Sequence, residues 1–155
     1  MNRLFDILRA IFISPEFVML LIIYVVIQYK PDWFSLIGTQ FQTNNEKWQY
    51  LLTLPVLFTG LVFKYGKNIR VPLDKNKRLY KWDEYHRITD RVFIGIFISI
   101  LCSIGVISIW FLINNISTLY IGVIFITSVS ISGFSAFTMY LASISIREVL
   151  DITDD

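Results

Sequence analysis

The sequence predicts an all-α integral membrane protein with four transmembrane helices and both termini in the cytoplasm. Apolar residues make up 55% of the 155 residues, charged residues make up only 17%, and the mean hydropathy is +0.59. No Asp, Glu, Lys or Arg occurs from Val92 to Ile146. About 20 helical residues are enough to cross a bilayer, and a soluble domain of this length has no ordinary place for so long an uncharged stretch. The soluble class is therefore excluded.

The first 13 residues fit either an interfacial helix or a plain extension into the first span. Their apolar residues recur on one helical face, which suits a helix lying along a membrane surface. Asp6 and Arg9 interrupt this apolar pattern. Such charges do not occur in the core of a cleavable signal peptide, so no signal peptide is expected.

The first span is predicted at about residues 15–30. Ser14-Pro15-Glu16 is a helix-start signature. The serine can cap free amides, the proline suits the first helical position, and the glutamate complements the positive end of the helix dipole. The span is short for a bilayer, so Pro31 and Trp33 are expected at the membrane interface.

The second span is predicted at about residues 48–63, between Lys47 and Lys64. Trp48 and Tyr50 suit the interface. Pro55 lies inside the predicted span. Because proline cannot donate a backbone hydrogen bond and clashes with the preceding turn, we expect a kink there.

The third and fourth spans are predicted at about residues 92–113 and 118–146. The short polar link from Asn114 to Thr118 predicts that they form an antiparallel hairpin. At about 1.5 Å per residue the fourth span exceeds the hydrocarbon thickness. It must therefore tilt or protrude into water.

Orientation follows from the middle loop, residues 64–91, because short loops rich in Lys and Arg stay in the cytoplasm. The basic residues of this loop are Lys64, Lys67, Arg70, Lys75, Lys77, Arg78, Lys81, Arg87 and Arg91. The chain shows no internal repeat. Residues 1–155 are therefore predicted to be a single four-helix membrane domain.

The second half of this basic cytoplasmic loop is predicted to be helical and to contact a soluble partner or trigger through Trp82, Tyr85, His86 and Arg87. The alternative is a juxtamembrane helix with its basic residues at the lipid surface. Four acidic residues dilute the basic charge of the segment, so nucleic acid is not expected as a partner. Membrane lipids, copies of the same chain and a cytosolic protein are the partners expected.

Small and hydroxyl-bearing residues recur on the last two spans at helical spacing. Their positions predict helix packing, pore lining, or both: Gly95, Ser99, Ser103, Ser128, Ser132, Ser135 and Ala136. Small residues at four-residue spacing let helix backbones approach closely. Polar uncharged faces also line some channels. The same face is expected to contribute to a homo-oligomer.

No catalytic activity, cofactor or bound metal is expected. A hydrolase needs a base beside its nucleophile, and a metalloenzyme needs clustered His, Cys or carboxylate ligands. The chain has one histidine, His86, in the middle loop, and one cysteine, Cys102. Spans three and four contain no carboxylate.

In topology the chain resembles small bacterial membrane effectors of phage-defence systems, such as the Rex-system membrane channel and the membrane subunit of Kiwa. The segments YGKNIR, Tyr65 to Arg70, and SIREVLD, Ser145 to Asp151, lie where such proteins place basic turns and a charged terminal helix. The resemblance transfers no functional residue. It implies a non-enzymatic oligomer of the bacterial inner membrane. Such a protein either senses or anchors for a cytosolic partner, or permeabilises the membrane as a channel.

Overall fold

The computed structural model describes residues 14–43, 46–75 and 85–153, and within them the chain is helical with no strand. The six helices of this part are α1 (Pro15–Tyr29), α2 (Pro31–Gln42), α3 (Glu46–Leu51), α4 (Leu54–Lys75), α5 (Tyr85–Leu112) and α6 (Thr118–Thr153). The predicted all-helical class is confirmed. The predicted interfacial helix of residues 1–13 lies outside the described residues.

Two of these helices are long and apolar enough to cross a membrane: α5 over Arg87–Leu112 and α6 over Thr118–Glu148. Together α1 and α2 pass the same test as a bent pair, with an angle of 96° between them. Within the described residues there are therefore two candidate spans, or three if the bent pair counts as one. This supports a membrane protein.

The start of α1 follows the predicted signature. Ser14 is the N-cap, and its hydroxyl oxygen accepts a hydrogen bond of 3.1 Å from the amide of Phe17. Pro15 occupies the first turn, where its missing N–H costs no helical hydrogen bond. The helix ends at Tyr29, one residue before the predicted boundary.

The segment after α1 is a second helix. Residues 31–42 lie between the first two predicted spans, and they form the helix α2. Lys30 separates the two helices, and Pro31 begins the second. Because proline disfavours helical geometry at the residue before it, the chain turns here and cannot continue as one straight rod.

Helix α2 packs across α6 with direct contact between backbones. A Cβ atom on Gly38 would lie only 1.8 Å from the carbonyl oxygen of Thr118, and a Cβ on Gly122 would lie 1.9 Å from that of Phe34. Glycine on both helices therefore permits the crossing. A hydrogen bond of 3.1 Å joins the hydroxyls of Ser35 and Thr118 beside it.

The turn between α5 and α6 is held by the end of α2. The side-chain amide of Gln42 donates to the carbonyls of Ile113, at 3.0 Å, and Ile116, at 2.9 Å. These carbonyls follow the end of α5, where helical acceptors run out of backbone donors. Nearby, the ring of Phe41 is fully buried and packs edge-on against Phe125.

The second predicted span, residues 48–63, is not one kinked helix. The chain breaks at Leu52 and Thr53, between α3 and α4. Pro55 therefore lies in the first turn of α4, where its missing donor is harmless, and the expected kink inside a continuous helix is wrong.

The predicted loop of residues 64–91 is corrected at both ends. Helix α4 continues from the apolar segment through Lys64 to Lys75, and α5 begins at Tyr85. Lys and Arg are good helix formers, so the charged extension of this apolar helix remains helical. The part between the helices, residues 76–84, lies outside the described residues.

Helices α4, α5 and α6 pack together in a bundle, with α5 and α6 as the predicted hairpin. Two apolar clusters occupy its ends. One contains Val62, Ile69, Val92, Ala136 and Met139. The other contains Phe41, Leu52, Val106, Ile109, Ile121 and Phe125. The predicted serine positions on α5 and α6 lie largely between these clusters along the sequence.

Candidate functional site

The residues predicted to contact a partner lie at or just before the start of α5. Trp82 lies outside the described residues. Tyr85 and His86 form the first turn of the helix, and their side chains also lie outside the described part. Arg87 is exposed. The second half of the loop is helical from Tyr85 onward, and α5 runs unbroken from there to Leu112.

An ion pair between Arg91 and Glu16 connects this helix to α1. The Nη2 atom of Arg91 donates to both carboxylate oxygens of Glu16, at 2.7 Å to Oε1 and 2.5 Å to Oε2. The Glu16 side chain is only 1% exposed and that of Arg91 is 26% exposed. The start of α1 is thereby tied to the start of α5, over a sequence separation of 75 residues.

The geometry of this pair leaves part of the arginine unsatisfied. Its Nη1 atom is buried and has no hydrogen-bond partner among the described residues. A single nitrogen thus serves both oxygens, in place of the stronger arrangement of two parallel bonds. A buried charge whose partner is removed is costly, so a displacement of either helix is resisted by the other.

A polar seam, defined by Thr59, Ser99 and Ser103, joins α4 to α5 inside the bundle. The hydroxyl oxygen of Thr59 lies 2.9 Å from the carbonyl of Ser99 and 2.8 Å from the hydroxyl of Ser103. It also lies 2.8 Å from the carbonyl of Pro55 on its own helix. Because a threonine has one hydroxyl proton, it donates to one carbonyl at a time and can accept from Ser103.

The structure brings the predicted small residues together inside one chain. Gly95 is buried, and a Cβ on it would lie 2.5 Å from the terminal methyl of Met139 and 3.2 Å from the hydroxyl of Ser135. The other six are also buried: Ser99, Ser103, Ser128, Ser132, Ser135 and Ala136. These positions therefore face neighbouring helices of the same chain.

The hydroxyls of this face differ in how they are satisfied. Ser132 donates to the carbonyl of Ser128, one turn earlier in its own helix, at 2.6 Å. The hydroxyls of Ser99 and Ser135 are buried without a partner among the described residues. The face thus combines close packing with a small number of hydrogen bonds between helices.

Sequence reasoning missed the ion pair, the role of Thr59 and the glycine crossing. A signal for the ion pair was present, because Glu16 and Arg91 stand at the starts of two apolar segments that the charge pattern places on the same side of a membrane. A carboxylate and a guanidinium at equal depth are natural partners. Thr59 and Gly38 carry no comparable sequence signal.

Within the described ranges, no three His, Cys, Asp or Glu side chains cluster in a way that could hold a metal ion. The polar groups that the fold brings together in the described helices include the ion pair of Arg91 with Glu16 and a few hydroxyls. They connect helices to one another.

The fold and these contacts define a helical, multi-pass type of membrane protein whose buried polar groups join helices. No known protein family matches the chain, and neither does any curated protein or solved structure.

Proposed function

We propose that this protein is a non-enzymatic sensor or anchor of the bacterial inner membrane that couples a cytosolic partner to its membrane helices. The observation that carries the proposal is the buried ion pair between Arg91 and Glu16. It lies two turns into α5, directly after the segment that is expected to bind the partner. A movement of that segment would therefore act on α1 as well as on α5.

Continuity of α5 supports this coupling. Binding at the first turn would tilt or rotate the whole helix, because no flexible linker separates that turn from the apolar part. A partner can shift the bundle between two states only by its differential affinity for them. If the partner binds one state more tightly by about 1.4 kcal/mol, the equilibrium between the two states changes tenfold. One aromatic or charged contact can supply a difference of this size.

The proposed topology has four spans, with both termini in the cytoplasm. In this arrangement α1, α4, α5 and α6 cross the bilayer, and α2 lies on the outer side against the turn between α5 and α6. The 96° bend between α1 and α2 supports it, since a helix at that angle to a span runs along the membrane surface. The basic residues of α4 and Arg91 then share the cytoplasmic side.

Assembly into a homo-oligomer is part of the proposal, as is a role in phage defence, which rests on the topological resemblance alone. The serine face of α6 is buried within one chain, so the subunits are expected to meet through other surfaces. The outward side of α5 offers one, because Phe97, Ile104 and Phe111 are all more than half exposed.

Reporter fusions test the topology. Fusions after Asn76 and Asp155 are expected to be cytoplasmic, and a fusion after Thr43 is expected to be exported, because the basic α4 extension retains the middle segment inside. Enzymatic reporters that are active on one side of the membrane give the result directly. Export of the Asn76 fusion would contradict the four-span arrangement.

Photo-crosslinking combined with a membrane-potential dye tests the function. A crosslinking aromatic amino acid at Tyr85 is expected to give an adduct with a cytosolic protein, and the same probe at Trp33 of α2 should give none. Trp82→Ala with Arg87→Ala should abolish the adduct without changing membrane insertion. Expression of the unmodified chain should leave the membrane potential unchanged.

The alternative function, a channel-forming effector that depolarises the membrane, predicts the reverse. Expression of the chain alone would then collapse the membrane potential, whether or not an adduct with a cytosolic protein forms. An adduct that persists in the double variant would show that the start of α5 does not recruit the partner. Absence of both adduct and depolarisation would contradict the sensor and anchor functions together.

A further inference from the structure

A groove between α4 and α5 is lined by apolar side chains at one end and by basic side chains at the other. Its volume is about 490 Å³, within the range of about 300–1,000 Å³ that is typical of ligand sites. Phe63 and Ile96 contribute to the apolar part, and Lys67 and Arg70 contribute to the basic part. Phe93 of α5 lines the basic end, beside Arg70.

The order of these residues along the two helices gives the groove a direction. On α4 the sequence runs from Phe63 through Lys67 to Arg70, so the basic residues follow the apolar one by one and two turns. Helix α5 runs antiparallel to α4, because Thr59 meets Ser99 while Gly66 packs beside Val92 and Ile96. Ile96 therefore lies beside the apolar end.

The basic end is preorganised. The guanidinium of Arg70 lies 5.1 Å from the centroid of the Phe93 ring, a cation–π distance that connects α4 to α5. Lys67 is exposed one turn earlier on the same helix. Two cations one turn apart, beside an apolar trough, offer a site for a phosphate that carries a hydrocarbon chain.

We infer that this groove binds an anionic phospholipid of the surrounding membrane, with the phosphate at Lys67 and Arg70 and an acyl chain along Phe63 and Ile96. The charge of the basic end and the apolar lining of the other end match the two parts of such a lipid. Under the proposed topology the lipid belongs to the cytoplasmic leaflet. The binding itself does not depend on the partner or on the direction of insertion.

Native mass spectrometry of the full chain in detergent micelles tests this inference. With dioleoyl phosphatidylglycerol and dioleoyl phosphatidylcholine at equal concentration, the protein is expected to retain phosphatidylglycerol preferentially. Each basic residue near an anionic headgroup contributes about a factor of five, so Lys67→Gln with Arg70→Gln should reduce phosphatidylglycerol binding about 25-fold. Binding of phosphatidylcholine should stay unchanged.

A matched control removes the same net charge outside the groove. Lys64 and Arg147 are exposed and do not line it, so Lys64→Gln with Arg147→Gln should leave phosphatidylglycerol binding within about twofold of the unmodified protein. If the Lys67 and Arg70 variant fails to fold, as judged by size-exclusion retention, the single variant Lys67→Gln should still reduce binding about fivefold.

Three results would overturn the inference. Equal retention of the two lipids would show that no anionic headgroup is recognised. Equal losses in the groove variant and the control would assign the effect to overall charge. Displacement of phosphatidylglycerol by millimolar inorganic phosphate or glycerol phosphate would show a site for a free anion, without a contribution from the acyl chain.

Discussion

Replacing Gly38 with alanine is expected to detach α2 from α6 and to destabilise the protein by about 3 kcal/mol. The added Cβ would lie 1.8 Å from the carbonyl oxygen of Thr118 and 2.6 Å from its carbonyl carbon. Both are backbone atoms, so no side-chain rotation relieves the overlap, and one helix must move. Gly122→Ala should act similarly, because its Cβ would lie 1.9 Å from the carbonyl oxygen of Phe34.

A disulfide reports whether α2 remains docked. The hydroxyls of Ser35 and Thr118 are 3.1 Å apart, so Ser35→Cys with Thr118→Cys is expected to crosslink in a Cys102→Ala background. Gly38→Ala should reduce the yield of this crosslink and lower the thermal stability in detergent.

The matched control is Gly60→Ala, in the second turn of α4. A Cβ there would meet no atom of another helix within 4 Å, so the change should stabilise the helix slightly, by under about 1 kcal/mol, and leave the crosslink intact. Normal crosslinking in Gly38→Ala, together with unchanged thermal stability, would contradict the close crossing of α2 and α6.

The second large effect is expected at the buried ion pair. Glu16→Gln should destabilise the protein by about 3 kcal/mol, because it leaves the Arg91 guanidinium without the carboxylate that it binds, in a largely buried position. The loss should fall at the lower end of the range for buried pairs, since Arg91 remains 26% exposed. Thermal denaturation in detergent measures the change.

A double substitution separates the cost of a lone charge from the value of the pair. Glu16→Leu with Arg91→Met should recover most of the stability lost in Glu16→Gln, because it leaves no buried charge. Asp32→Asn is the matched control, since Asp32 also follows a proline in the first turn of a helix but is exposed. It should cost less than about 1 kcal/mol.

The same double variant distinguishes stability from coupling. If the ion pair transmits movement between α5 and α1, the variant with Glu16→Leu and Arg91→Met should still form the partner adduct at Tyr85. Its α1 helix should no longer change conformation when the partner binds. A fluorescent label on the cysteine of Tyr29→Cys, in the Cys102→Ala background, would report that change in α1. A full response in the double variant would assign the pair a structural role only.

The sequence was sufficient for features that depend on neighbouring residues. Ser14 and Pro15 predicted the start of α1 because capping is decided within one helical turn. The short link from Asn114 predicted the hairpin of α5 and α6, since a turn of that length leaves no other neighbour within reach. The seven small residues of α5 and α6 were also placed on faces that the structure buries.

The sequence was not sufficient for segments of intermediate polarity, because such a segment can form either a loop or a helix that packs on the bundle. Residues 31–42 mix aromatic, polar and apolar side chains, and the sequence predicted no structure for them beyond an interfacial position for Pro31 and Trp33. They form α2 because Phe34, Gly38 and Phe41 all find partners on α6. Likewise, Pro55 indicated a disturbance near its position, but the break falls before it, at Leu52 and Thr53.

The sequence by itself determined which segments are apolar helices, because the free energy of placing a charge in hydrocarbon is paid residue by residue and does not depend on the neighbour. Only the tertiary structure decided that Glu16 meets Arg91, that Gly38 meets Thr118, and that Lys67 and Arg70 share a groove with Ile96. These contacts join residues that are far apart along the chain. They depend on the rotation and depth of each helix in the bundle, and the apolar pattern of a single helix leaves both undetermined.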